Sequence, residues 1–108
     1  MHNPASNKFN PASNYYEAIL QLRPYDQKVI DYIENQLIKN PKLFISKVEE
    51  LRSGIDLYFT DQKLTLSLAR KLKHVFKGQI KISKKLHTLE RTNSKKIYRV
   101  TILFRLNH

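Results

Sequence analysis

The chain has 108 residues and no cysteine, and it carries 20 lysines and arginines against 9 aspartates and glutamates, a formal net charge of +11. This length is typical of a single domain, and the absence of cysteine excludes disulfides and thiolate metal sites. No apolar run approaches the roughly 18 residues that a membrane span needs, and the polar first residues do not resemble a signal peptide. We therefore expect a soluble, cytoplasmic protein without a membrane partner.

The excess positive charge lies entirely in the second half of the chain. Residues 1–60 contain seven basic and seven acidic side chains, whereas residues 61–108 contain 13 basic side chains and only Asp61 and Glu90 as acids. A charge distribution this one-sided attracts a polyanion. The alternative is a solvated basic surface that has no partner.

The first elements follow a tail. Residues 1–14 repeat the phrase Asn-Pro-Ala-Ser-Asn, which predicts a flexible tail or linker and leaves residues 15–108 as a single domain. Alternating apolar residues from Tyr15 to Arg23 predict a strand, with Tyr16 on the apolar face, and the proline that follows ends it. The spacing then becomes helical, with Asp26 placed to cap a helix that ends at Asn40-Pro41.

The middle of the chain predicts a hairpin and a second helix. Residues 43–51 mix charged and apolar side chains on both faces, which is typical of an edge strand, and a short turn leads to a half-buried strand at 54–59. Asp61 can cap the next helix, and Gly78 marks the end of that helix. The apolar stripe of this helix consists of Leu64, Leu68, Leu72, Val75 and Phe76.

Two more strands complete the chain. Residues 79–89 place Ile80, Ile82 and Leu86 inward and lysines outward, and a polar loop at 90–94 follows. The last strand, at 96–106, has one apolar face formed by Tyr98, Val100, Ile102, Phe104 and Leu106. We expect all of these inward side chains to lie in the core.

The order of elements is strand, helix, strand, strand, helix, strand, strand. The first six predict a ferredoxin-like split βαβ arrangement (βαββαβ), an antiparallel sheet with two helices on one face. The seventh would be an extra C-terminal hairpin strand that pairs with the sixth element and extends the sheet. The predicted fold class is α+β.

The residues that catalysis or metal binding would need are scattered. The four histidines have no spacing that puts two ligands on one helical face, and the two glycines cannot form a phosphate-binding loop. We therefore expect no enzyme, no metal, no cofactor and no small-molecule substrate.

The basic side chains of the second half are the candidate RNA-binding residues. Clustered lysines and arginines of this kind bind phosphates, and arginine can do so in a bidentate manner. The sequence lacks the aromatic motif with which some sheets read RNA bases, so contacts with RNA shape and backbone are expected. The candidates are Arg70, Lys71, Lys73, Lys77, Lys81, Lys84, Lys85, Arg91, Lys95, Lys96, Arg99 and Arg105.

Four segments in this order resemble the Nmd-three family, most closely its archaeal form: Tyr15–Arg23, Gly54–Phe59, Ala69–Leu72 and Ile82–Leu86. The resemblance implies a non-catalytic adaptor that binds the large ribosomal subunit, through ribosomal RNA or proteins, during late assembly or quality control. The family's paired Cys-x-x-Cys zinc modules have no counterpart here, so the chain corresponds to the central domain, either excised or as a reduced homologue. The alternative function is a protein-interaction or structural domain without direct RNA contact.

Overall fold

Seven elements occur in the predicted order. A computed structural model describes residues 15–90 and 95–107, with side chains at 15–86 and 98–107. The predicted tail, most of the predicted loop at 90–94, and the side chains of Arg91, Lys95 and Lys96 lie outside the described residues. The elements are β1 (Ala18–Arg23), α1 (Gln27–Lys39), β2 (Ile45–Leu51), β3 (Gly54–Phe59), α2 (Gln62–Val75), β4 (Gly78–Glu90) and β5 (Lys95–Leu106).

The strands form one five-stranded sheet in the order β2-β3-β1-β5-β4. Alternate residues of the strands form a single apolar cluster with both helices, to which α1 contributes Val29, Ile33 and Leu37, and α2 contributes Leu68 and Leu72. Both helices therefore cover the same face of the sheet. The α+β class and the ferredoxin-like arrangement with an extra strand are confirmed, and β2 lies at an edge as predicted.

The last strand was predicted to extend the sheet beyond the sixth element, but it lies inside the sheet, between β1 and β4, and β4 is the edge strand. β5 pairs antiparallel with β4 as the predicted hairpin, but it also pairs in parallel with β1, so the sheet is mixed and not wholly antiparallel. The apolar residues of β5 explain this position, because Val100, Ile102 and Phe104 are fully buried. β4 carries three exposed lysines, which an edge strand can present to solvent.

Both helices begin at the predicted caps. The Asp26 side chain accepts hydrogen bonds from the backbone N–H groups of Lys28 and Val29, and the Asp61 side chain accepts one from Leu64. Each bond satisfies a donor that the first turn of a helix leaves unpaired.

The predicted role of Gly78 as the end of α2 is wrong. The helix is capped at Phe76, whose N–H donates to the carbonyl of Leu72, and Gly78 is the first residue of β4. A Cβ atom at Gly78 would lie 2.7 Å from the carbonyl oxygen of Arg105 and 2.8 Å from the ring of Phe104. A glycine is needed because β5 approaches closely.

The hairpin of β4 and β5 extends past the rest of the sheet. β1 pairs with β5 only between Val100 and Arg105, whereas β4 and β5 remain paired as far as Glu90 and Lys95. The expectation that every inward side chain lies in the core is therefore wrong. Ile82, Leu86 and Tyr98 are 43%, 50% and 38% exposed, and Val75 at the end of α2 is also exposed. They occupy the free edge of the sheet or the ends of elements, where the helices cover them only in part.

Candidate nucleic-acid interface

The face of the sheet opposite the helices carries no covering element among the described residues, and we call it the open face. The strand registers place alternate residues of all five strands on it. From one edge to the other these are Lys47 and Glu49 (β2), Asp56 and Tyr58 (β3), Ile19, Gln21 and Arg23 (β1), Arg99, Thr101, Leu103 and Arg105 (β5), and Gln79, Lys81, Ser83 and Lys85 (β4).

On the β2, β3 and β1 part of the open face, an arginine is neutralised by a buried acid. Nη2 of Arg23 lies 2.6 Å from Oδ1 of Asp56, and the two side chains are only 16% and 8% exposed. Nη1 of Arg23 also donates to the carbonyl oxygens of Leu22 and Ile55. This is the only ion pair among the side chains that the structure describes. Arg23 therefore stabilises the fold and has little charge to offer a ligand.

The neighbouring Tyr58 connects two further charges of opposite sign. Its hydroxyl donates to Oε1 of Glu49 over 3.3 Å, and Nζ of Lys47 lies 5.1 Å from the centre of its ring. Burial raises the pKa of Tyr58, and the charge and hydrogen bond of Glu49 raise it further. The opposite charges of Lys47 and Glu49 leave this part of the open face close to neutral.

A stacked arginine lies at the boundary with the other part. The guanidinium carbon of Arg99 is 3.8 Å from the centre of the Tyr16 ring. Its Nε donates to the Tyr16 carbonyl and its Nη1 to the Tyr16 hydroxyl, both over 3.2 Å. Tyr16 in turn contacts the Tyr58 ring edge-on, with centroids 4.9 Å apart. The guanidinium is thus held in place while three of its five N–H donors have no partner among the described residues.

The remaining part, on β5 and β4, presents only positive charges. Lys81, Lys85 and Arg105 are exposed, and no carboxylate among the described side chains lies within ion-pair distance of them. Lys85 is directly opposite Arg99 in the register, and successive residues on one face of a strand are about 7 Å apart. We call Lys81, Lys85, Arg99 and Arg105 together the cationic surface.

Two shallow depressions border the cationic surface. One, of about 370 Å³, lies beside the stacked arginine and is lined by Tyr16, Ile19, Lys85, Leu86, Arg99 and Thr101. The other, of about 570 Å³, lies at the far end of the open face and includes Leu103 and Arg105. Both are lined by apolar and cationic side chains together, and a shallow lining of this kind suits an elongated anionic ligand better than a small enclosed one.

Comparison with known protein families shows the family to which the chain belongs. A family model described as "NMD3, second domain" matches residues 15–106. The chain belongs to the NMD3 family. No curated protein matches the sequence. This match confirms the resemblance found in the sequence. The family is associated with the ribosome as an adaptor and is not a known enzyme family.

In this NMD3 domain the candidate RNA-binding residues do not lie on one surface. Lys81, Lys85, Arg99 and Arg105 share the open face, whereas Lys84 projects from the opposite, helix side of β4. The exposed residues Arg70, Lys71 and Lys73 belong to α2, so they also lie on the helix side, and Lys77 lies in the connection between α2 and β4.

The sequence pattern assigned Tyr16 to the wrong face. Strict alternation with Ala18 and Leu20 predicted a core residue, but the chain bends at Glu17 before β1 begins. The Glu17 carboxylate accepts a 2.9 Å hydrogen bond from the backbone N–H of Gln62, at the start of α2. A carboxylate is favourable at a helix N-terminus, and the bend places Tyr16 against Arg99. Glu17 is the one acid in the predicted strand, and it is the sequence feature that could have indicated this bend.

Neither a metal site nor a membrane span is found in the part of the NMD3 domain that the structure describes. Its histidines, aspartates and glutamates form no group of three or more that could hold a metal ion. Neither helix is long and apolar enough to cross a membrane.

Proposed function

We propose that this chain is a non-catalytic adaptor domain that binds the large ribosomal subunit in the cytoplasm, during late subunit assembly or quality control. Its cationic surface contacts the phosphates of ribosomal RNA. The observation that carries the proposal is the concentration of unneutralised cations on β4 and β5, beside a β2–β3–β1 part in which positive and negative charges offset one another.

The physical chemistry of these residues favours RNA backbone over RNA bases. Lysines and arginines that neutralise phosphates release condensed counterions, which supplies affinity without sequence preference. Arg99 is held in place by Tyr16, so little side-chain entropy is lost when it binds a phosphate. The ring of Tyr16 already contacts Arg99 and Tyr58, and it is therefore not a free platform for base stacking.

Sedimentation with purified large subunits across a salt series tests the proposal. The variant Lys81→Glu/Lys85→Glu/Arg105→Glu reverses three charges of the cationic surface. The matched control Lys28→Glu/Lys42→Glu/Lys63→Glu makes the same change in net charge at exposed positions away from the open face. Small subunits serve as a second specificity control.

We expect the wild-type chain and the control variant to co-sediment with large subunits, and their association to weaken steeply as salt rises. The variant of the cationic surface should lose most of the association at low salt. The slope of log K against log salt should fall by about 0.9 for each duplex phosphate contact removed. Equal association of the two variants would refute a role for this surface.

A protein-interaction role without RNA contact is the second candidate, and the free edge at β2 favours it. Val48 and Leu51 are large exposed apolar residues of this edge strand, and Phe44 just before it is also exposed. An edge strand offers backbone groups to which an extended peptide can add as a further strand. Binding that is insensitive to salt and is abolished by Val48→Lys would support this function in place of the first.

A further inference from the structure

A second concentration of basic residues lies between the two helices, on the side of the domain away from the open face. A groove of about 490 Å³ runs between α1 and α2 and is lined by Tyr32, Gln36, Lys39, Arg70, Lys71, His74 and Val75. The lining residues of α1 are spaced by four and three positions, so they form one stripe. The corresponding stripe of α2 faces it across the groove.

The groove contains cations from both walls and no acid. Lys39 comes from α1, whereas Arg70, Lys71 and His74 come from α2. Nζ of Lys71 donates to Oε1 of Gln36 across the groove, at 3.3 Å, which links the walls. The two acids of α1, Asp31 and Glu34, both lie outside the lining, and Asp31 accepts a hydrogen bond from Gln27. An anion in the groove would therefore meet donors from two sides and no repulsion from the lining.

The lining residue Tyr32 connects the groove to the core of the domain. Tyr32 packs edge-on against Phe76, with ring centroids 5.6 Å apart, and both residues pack against the core. The helices that form the walls are themselves anchored by buried residues such as Ile33 and Leu72. A preformed site loses little conformational entropy when it binds.

We propose that this interhelical groove binds backbone phosphates of a second RNA segment, so that the domain holds two RNA segments on opposite sides. The inference rests on the proposed function in taking RNA as the ligand. Phosphate is the shared chemistry of an RNA backbone and of free inorganic phosphate, and the groove is open along its length, which suits a chain of phosphates.

The experiment counts short RNAs bound to the 108-residue chain. Hexauridylate is titrated into the protein and the stoichiometry is read by native mass spectrometry and by calorimetry. The groove variant is Lys39→Gln/Arg70→Gln, which removes one cation from each wall and keeps good helix formers. Its matched control is Lys28→Gln/Lys63→Gln, which removes one exposed cation from each helix at positions that do not line the groove. The open-face variant is Lys81→Gln/Lys85→Gln.

We expect the wild type and the matched control to bind two hexauridylates, and the groove and open-face variants to bind one each. In the wild type, the contacts made by Lys39 and Arg70 should together contribute about 1.4 to the magnitude of the slope of log K against log salt for binding in the groove. Each phosphate contact on a single strand contributes about 0.7. A groove variant that still binds two RNAs overturns the inference. So does displacement of the groove-bound RNA by inorganic phosphate at equal phosphate concentration, which would identify a site for the free ion.

The outcome is independent of the ribosome-binding test. If the chain binds two hexauridylates but no large subunit, the groove inference stands and the proposed function fails. If the chain binds large subunits but only one hexauridylate, the reverse holds.

Discussion

The substitution Gly78→Ala tests the close approach of β4 to β5. The new Cβ would lie 2.7 Å from the Arg105 carbonyl oxygen and 2.8 Å from two ring carbons of Phe104. Optimal contacts between such atoms are about 3.5–4.0 Å, so one partner must move by most of an ångström. Phe104 is fully buried in the core, and the other partner is backbone. Moving either the Phe104 ring or the Arg105 carbonyl would therefore destabilise the fold.

The expected magnitude follows from two opposing terms. Overpacking of a filled site lowers the free energy of unfolding by about 1–3 kcal/mol. Replacing glycine by alanine also lowers the conformational entropy of the unfolded chain, which raises the free energy of unfolding by about 0.4–1 kcal/mol. We expect Gly78→Ala to lower the free energy of unfolding by about 1–2 kcal/mol. For a domain of this size each kcal/mol corresponds to about 4–8 °C in Tm, so the midpoint should fall by about 4–16 °C.

Urea and thermal unfolding followed by circular dichroism measure this loss. Gln79→Ala is the control, because the neighbouring residue is exposed and its truncation should change stability by no more than about 0.5 kcal/mol. If Gly78→Ala were as stable as the wild type, the close packing of β4 on Phe104 would be wrong, and with it the position of the cationic edge strand.

Three further predictions concern the caps, the ion pair and the open face. Asp61→Ala should lower the free energy of unfolding by about 1 kcal/mol through loss of the α2 cap, and Asp61→Asn should restore most of it in thermal melts. Arg23→Ala should cost about 3 kcal/mol in urea unfolding, because it leaves the buried carboxylate of Asp56 unpaired; a double variant with Asp56→Ala should cost less than the sum of the single changes. Burial and Glu49 raise the pKa of Tyr58, so the native state holds the hydroxyl proton more tightly than the unfolded state. This contribution to stability is complete below about pH 10 and is lost as the pH rises above it, and Tyr58→Phe should show a shallower decline of unfolding free energy there; a parallel decline in both proteins would contradict the assignment.

The local features of the fold could be predicted because each depends on neighbouring residues. Asp26 and Asp61 identify the helix starts, and the change from alternating to helical spacing identifies the elements between them. The mixed charges of residues 43–51 identified an edge strand, and the structure places β2 at the edge. These signals are contained within about ten residues of sequence.

The position of β5 could not be predicted from such signals. The sequence indicated that β4 and β5 pair with each other, and they do. Which of the two strands also pairs with β1 depends on which has the apolar face that is more favourable to bury in the centre of the sheet. The periodicity within each strand does not provide this comparison. The decision favours β5 because its apolar face is continuous from Val100 to Phe104, whereas β4 has Lys84 on the same side of the sheet.

The same strand order explains why positive charge confined to one half of the sequence lies on two sides of the molecule. α2 covers one face of the sheet, and β4 and β5 contribute alternate residues to the other, so a segment of uniform charge is divided between opposite surfaces. Some charged side chains of residues 1–60 neutralise each other within the fold, as Arg23 and Asp56 do. Two cationic regions separated by a neutral core and a fixed thickness of protein can contact two anionic segments at once. A one-sided basic patch could attract an RNA, but it could not hold two RNA segments at a set distance, as we propose for this domain.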